Sequence, residues 1–290
     1  MSALTSRFGK NYVLFSALLS AAIVFIVLVL LFFYSWEAIT FSKFSLLSLE
    51  WAPYHGKFGI LSMVYGTFVV TFIALILATP LGIAASVFTA EILPQKYQYA
   101  VKSLLELLVG IPSIVYGLIG IAFFSIWIQD LFQLQTGRTL LTAGILLSIM
   151  ILPTVITLSD DAFRSIPSKY REASKGLGLY RYEVIISTLL PIAKSNIIGA
   201  VLLALGRALG ETMAVMLVIG SIDKIASPFF NFLTPGQTIT SKLGREIAET
   251  AFGSVHFSAM IFMSFILLSI VLLFTVTAQY YSKKGQRLYE

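Results

Sequence analysis

Two charged residues stand in an apolar run that offers them no water: Arg207 and Glu211, in GRALGETMAV (206–215). Four positions apart, they share one face of a helix and can pair. An ionisable side chain at the bilayer centre costs at least about 2.5–3.5 kcal/mol on insertion scales, and such residues mark ion or substrate paths. The arginine fork matches the oxygens of a tetrahedral oxyanion and stays charged at any working pH. The glutamate adds discrimination. Phosphate near neutrality still carries a proton to donate to a carboxylate, whereas sulfate carries none. An ion pair that only locks helices together is the alternative reading of the same two residues.

The elements that must hold this pair are membrane helices. The 290 residues are 58% hydrophobic and only 12% charged, about half the charge of a typical soluble domain. Several apolar stretches exceed the ~18 residues that mark a candidate bilayer-crossing helix. The chain therefore reads as an all-α polytopic membrane protein with six transmembrane helices, at 12–36, 59–90, 100–128, 140–158, 196–219 and 257–281. The first run is too long for a signal-peptide core and is read as an uncleaved span. The second is too long to stand upright, and Thr79, Pro80 and Gly82 are expected to kink it. Pro153 interrupts the fourth, which neighbouring helices can accommodate. Arg207 falls about ten residues into the fifth span, about 15 Å deep and near mid-membrane.

Lysine and arginine counts set the orientation. With the N-terminus inside, thirteen of the twenty fall on cytoplasmic segments and six on outer ones, Arg207 lying between. Both termini and the segment 159–194 are thus expected on the cytoplasmic side. The chain has no cysteine and two isolated histidines, His55 and His256; no metal site is expected, and interfacial placement suits both. Glu106, near the cytoplasmic end of the third span, reads as a packing residue rather than a transport one. Asp160 and Asp161 are expected to cap the next helix. In the outer loop, Leu243, Ile247 and Ala251 share a face beside Arg245, Glu246 and Glu249, which suggests a short helix at the interface.

The cytoplasmic segment looks built for docking. Pro167 suits a first helical turn; Tyr170, Ala173 and Leu177 then share a face, and Gly176 and Gly178 offer a C-cap before a second helix starts at Tyr180. The small residues Ala173, Ser174, Gly176 and Gly178 would let another protein's surface approach closely. Glu172-Ala173-Ser174, Gly178 and the run ending Leu189-Leu190-Pro191 resemble the EAA loop of type I ABC importer permeases, with Ser174 replacing the second alanine. GRALGETMAVMLVIG (206–220), GTFVVTFIALILATPLGIAAS (66–86) and ELLVGIPSIVYG (106–117) resemble the phosphate permeases of the PstC type.

That resemblance implies a type I permease fold and a function in ATP-driven phosphate import across a prokaryotic cytoplasmic (inner) membrane. It divides the chain into residues 1–58 (tail, first span and outer loop), a permease core at 59–282 with its coupling loop at 159–194, and a tail at 283–290. It implies that Glu172 and Ala173 contact the ATPase, that Gly178 forms the turn, and that Arg207 and Glu211 line the phosphate path. Implied partners are a PstA-like second permease, PstB-like ATPase subunits and a PstS-like extracytoplasmic binding protein. ATP and Mg belong to the ATPase: the chain has no G-x-x-x-x-G-K-[ST] phosphate loop and needs no cofactor of its own. Rival readings are a permease for sulfate or molybdate and an ATP-independent secondary transporter with Glu211 as proton relay. An intramembrane enzyme lacks any motif to support it.

Overall fold

The computed structural model describes the backbone of residues 2–41 and 45–286 and the side chains of 11–40 and 46–280. The side chains of the tail expected at 283–290 lie outside the described residues. Six helical stretches are long and apolar enough to cross a membrane: Asn11–Thr40, Leu61–Ile92, Ser113–Phe132, Leu140–Arg164, Arg181–Gly210 and Val255–Tyr280.

Helix α1 (Ser2–Phe41) packs along the last helix, α12 (Val255–Gln286). Phe32 meets Phe265 at 5.7 Å between ring centres, and Ser258 donates to Glu37. The most apolar 18 residues of this first span are 0% buried, against 67% for α6 (Leu140–Arg164). The first span is therefore peripheral and α6 is the hub. Thr139 caps α6, its hydroxyl accepting from the Thr142 amide at 3.2 Å.

Helix α2 (Leu61–Val87) lies against α6, and glycine sets how close. A Cβ on Gly82 would stand 2.6 Å from Val155 Cγ1, and one on Gly144 2.5 Å from Ile73 Cγ2. No larger residue fits at that separation. α2 stays one helix through Pro80; the irregularity comes later, as a π-turn at Phe88–Ile92.

The third span departs from the continuous helix expected at 100–128. Helix α3 (Gln95–Gly110) stops at Ile111, whose ψ of 129° is extended because Pro112 follows it. The crossing segment is then α4 (Ser113–Ile119), a π-turn (Gly120–Ser125) and α5 (Ile126–Phe132). Glu106 is thus on a separate, surface-lying helix, and is exposed.

The segment expected at 159–194 is shorter, because α6 runs on to Arg164 and the fifth span begins at Arg181. Between them stands α7 (Ser168–Gly176). The fifth span is α8 (Arg181–Glu183), a π-turn (Val184–Leu189) and α9 (Leu190–Gly210), so it starts and stops earlier than the expected 196–219. It ends where Glu211 turns extended (ψ 125°), and a short α10 (Met213–Val218) follows. Gly210 is a poor helix former, and the Thr240 hydroxyl donates to the Glu211 carbonyl at 2.7 Å, satisfying a backbone group the helix has released.

Helix α11 (Ile239–Glu246) is the short helix expected in the outer loop; it buries Ile239, Thr240, Ser241 and Lys242, and Leu243 and Ile247 pack against the protein. A two-stranded hairpin, β1 (Trp51–Ala52) with β2 (Lys57–Phe58), turns on Gly56 at φ 67° and covers the same outer end. The main core joins α2, α6, α9 and α10 through residues such as Val70, Leu147, Ile151, Val155, Ala204 and Val218.

Candidate functional site

Arg207 sits in the last turn of α9 and points at α6, where Nη1 donates to Thr154 Oγ1 at 2.8 Å. Thr154 lies fourteen residues from the start of α6 and ten from its end, about 21 Å and 15 Å along the axis. The guanidinium is therefore level with the middle of the hub helix, although it is near the end of its own. Among the described residues the Thr154 hydroxyl is its hydrogen-bond partner, leaving further N–H donors open to an oxyanion.

Glu211 is not paired with it. The helix ends between the two, so Glu211 leaves the face that Arg207 occupies, and no ion pair joins them among the described residues. The Glu211 carboxylate instead accepts from the Ala214 amide at 3.4 Å, at the start of α10. The pairing that a continuous helix would allow is therefore absent among the described residues, and with it the alternative reading of a locking ion pair. With the guanidinium held by a neutral hydroxyl alone, its charge is not cancelled locally.

Two cavities flank this break. One, of about 490 Å³, opens between the C-terminal parts of α6 and α12 and the N-terminal half of α9, beside Asp161, Ser165 and Asn196. The other, of about 580 Å³, lies between α9, α11 and α12 beside Gly210, Thr212 and Thr240.

The segment between α6 and the fifth span is clamped by an arginine to which the sequence pattern assigned no role. Arg171 Nη2 donates to Glu91 Oε1 at 2.6 Å, and to the Phe163 carbonyl at 2.7 Å; Nη1 donates to the Ile166 carbonyl, also at 2.7 Å. One guanidinium thus closes the open carbonyl end of α6 and ties it to the turn after α2. Arg181 donates to the Glu91 carbonyl from the other side. Asp160 does not cap a helix. It lies inside α6, accepts from Thr89 at 2.8 Å and pairs with Arg164 at 2.5 Å, while Asp161 faces Lys102 at 3.6 Å. Beneath the clamp, Phe163, Ile166, Val184, Leu189 and Ile197 form a second core. The segment after α6 and the membrane helices are therefore one packed body.

On that body Glu172 and Ala173 are exposed, and Leu177 is 82% exposed. Tyr170, expected beside them, is drawn into the second core instead. Ser174 is buried and does not serve close approach: its hydroxyl donates to the Tyr170 carbonyl and meets Thr188 Oγ1 at 3.0 Å. Gly178 takes φ +81°; its amide reaches the Lys175 carbonyl and the Leu179 amide reaches that of Ser174. This is a Schellman closure, which favours glycine at that position.

The outer end has its own lock. Lys242, 4% exposed, pairs with Asp223 at 2.6 Å and Glu246 at 2.5 Å beneath the Trp51 ring. Trp51 donates to Glu246 at 3.1 Å, and His256 Nε2 lies 3.5 Å from the same carboxylate. His55, in the hairpin turn, is exposed. No group of three metal-ligating side chains occurs among the described residues.

Residues 79–285 match the family described as "Binding-protein-dependent transport system inner membrane component". The phosphate transport system permease protein PstC of Mesorhizobium japonicum is 34% identical, over 94% of this chain and 90% of that protein. A probable ABC transporter permease of Bacillus subtilis, YqgH, is 38% identical over 82% of this chain and 77% of its own length. The PstC of Haemophilus influenzae is 30% identical over 97% and 94% respectively. Among solved structures, a bacterial alginate ABC transporter matches with a TM-score of 0.61, covering 99% of both chains at 13% identity. The inward-facing MetNI methionine transporter matches at 0.57, covering 78% of this chain and 94% of that one at 17% identity. At such identities the structures establish the fold alone.

Proposed function

We infer that this chain, which belongs to the family of binding-protein-dependent transport system inner membrane components, is the phosphate-translocating permease subunit of an ATP-driven importer. It is a multi-pass membrane transport subunit with a type I ABC importer permease fold, not an enzyme. The observation that carries the reading inside the molecule is Arg207, a guanidinium level with mid-α6 and held by one neutral hydroxyl. A cation kept uncancelled in an apolar span is costly unless it serves an anion. Its curated relatives named PstC favour phosphate over sulfate or molybdate.

The partners follow as a proposal. An ATPase subunit of the PstB type sits against the exposed surface of α7, contacting Glu172 and Ala173, with Gly178 holding the turn behind them. ATP and Mg bind on that subunit. A PstA-like permease completes the membrane pair, and a PstS-like binding protein delivers phosphate at the outer end. Both termini and α7 face the cytoplasm. Movement of α7 is transmitted by the Arg171–Glu91 clamp to α2 and α6, and by the second core to α9, where Arg207 lies. Glu211, at the break above Arg207, faces the incoming anion as an acceptor for its remaining proton. A secondary transporter would leave this clamp and the docking surface without a task.

The test is uptake of radiolabelled phosphate by cells that lack their own high-affinity system and express the whole transporter. Saturable uptake that excess sulfate does not compete with, and that disappears when the partner's phosphate-loop lysine is replaced, is expected. Uptake that survives the loss of ATP hydrolysis would point to the secondary-transporter alternative.

A further inference from the structure

The cavity at the cytoplasmic end lies in register with Arg207. Stepping down α9 from Arg207, the same face carries Leu203 and Asn196; stepping down α6 from Thr154, it carries Leu158, Asp161 and Ser165. These are steps of three, four and seven, which keep one side of a helix. All five residues below the Arg207–Thr154 bond line the single cavity of about 490 Å³, with Gln279 of α12 at its rim. Gly199 and Ala200 form its floor and leave it open. One turn of leucine on each helix therefore separates the guanidinium from a mouth of two amides, the Ser165 hydroxyl and the Asp161 carboxylate.

Resting on the reading that Arg207 belongs to the anion path, we propose that this groove is the cytoplasmic leg of that path. Leu158 and Leu203 are its constriction, and the amides of Asn196 and Gln279 are the hydrogen-bonding mouth through which the oxyanion leaves, the Ser165 hydroxyl already donating to the Ala162 carbonyl at 2.8 Å. The chemistry falls off in the right order. A guanidinium gives a charged fork, whereas a neutral amide or hydroxyl gives single, roughly half-strength bonds. Passage requires binding weak enough at the exit to release. Asp161 would oppose an anion at this mouth, and Lys102 at 3.6 Å offsets its charge.

The absence of native cysteine makes the test direct. Single Leu203→Cys and Asn196→Cys chains are assembled into the full complex in inside-out vesicles and treated with an anionic methanethiosulfonate. Leu273→Cys, on α12 and 65% exposed outside the cavity, is the reference. Modification at positions 203 and 196 at least about tenfold faster than at 273, slowed by inorganic phosphate, is expected. Rates no greater than at 273, or fast rates that no oxyanion slows, overturn the proposal. Fast rates slowed by sulfate but not phosphate keep the groove as an anion path while failing the phosphate assignment. As a second variant, Leu203→Trp should abolish uptake in an assembled complex; undiminished uptake would count against the constriction.

Discussion

Replacing Arg171 with methionine tests whether the docking element and the membrane helices move as one body. The substitution strands the Glu91 carboxylate, whose side chain is 12% exposed, and frees the carbonyls of Phe163 and Ile166. Removing one partner of a buried ion pair costs about 3–5 kcal/mol. Arg171 is itself 23% exposed, so the lower end applies, about 3 kcal/mol. At 1.4 kcal/mol per tenfold, the population in which α7 has lifted off rises by roughly a hundredfold. A nine-residue helix does not hold alone in water, so α7 unwinds once it lifts off, and hydrogen exchange within it reads the lift-off. The amides of Leu177, Gly178 and Leu179, bonded to carbonyls within α7, should exchange about a hundredfold faster in the solubilised complex. Amides in mid-α6 should not change. A second change, Glu91→Gln, should recover part of the protection by removing the stranded charge. Unchanged exchange at 177–179 in the Arg171→Met chain would refute the clamp.

Three further outcomes follow from the same geometry. Gly178→Ala forces a left-handed backbone on alanine, at about 1–2 kcal/mol; phosphate carried per ATP hydrolysed should fall in proteoliposomes, with Gly178→Asn affected less. Lys242→Met leaves Asp223 and Glu246 facing each other beneath Trp51, which should cost about 3–5 kcal/mol and lower the Tm of the solubilised complex. Thr154→Val keeps the shape but removes the hydroxyl that holds Arg207, about 1.5–3 kcal/mol for a bond to a charged donor; uptake should slow in an assembled complex, and Thr154→Ser should restore it.

The six crossings, the short helix after Pro167 and the isolated arginine were legible in the sequence because each depends on composition or on a short local pattern. Where helices stop was less so. The apolar run after Arg207 continues through Val215–Val218, so hydropathy extends the fifth span across Glu211. Only Gly210 and the reach of Thr240, 29 positions on, end it. The same limit placed Arg207 at mid-membrane by counting along α9, whereas its level is set by its bond to Thr154 on another helix. Arg171 read as one more cytoplasmic charge because its partners, Glu91 and the end of α6, lie in separate segments. Ser174, a small-for-small change by sequence, proved to be a buried hydrogen-bonding contact to Thr188. The break at Ile111 was available from Pro112 alone, since a proline biases the residue before it away from helix.

The central claim is that Arg207 carries the anion. Phosphate uptake should be measured with Arg207→Gln and Arg207→Lys, each with assembly of the complex confirmed. The account predicts that glutamine abolishes uptake in an intact complex, while lysine, a point charge without the fork, retains a small fraction. Normal uptake with glutamine would contradict it and leave Arg207 as a packing residue bonded to Thr154.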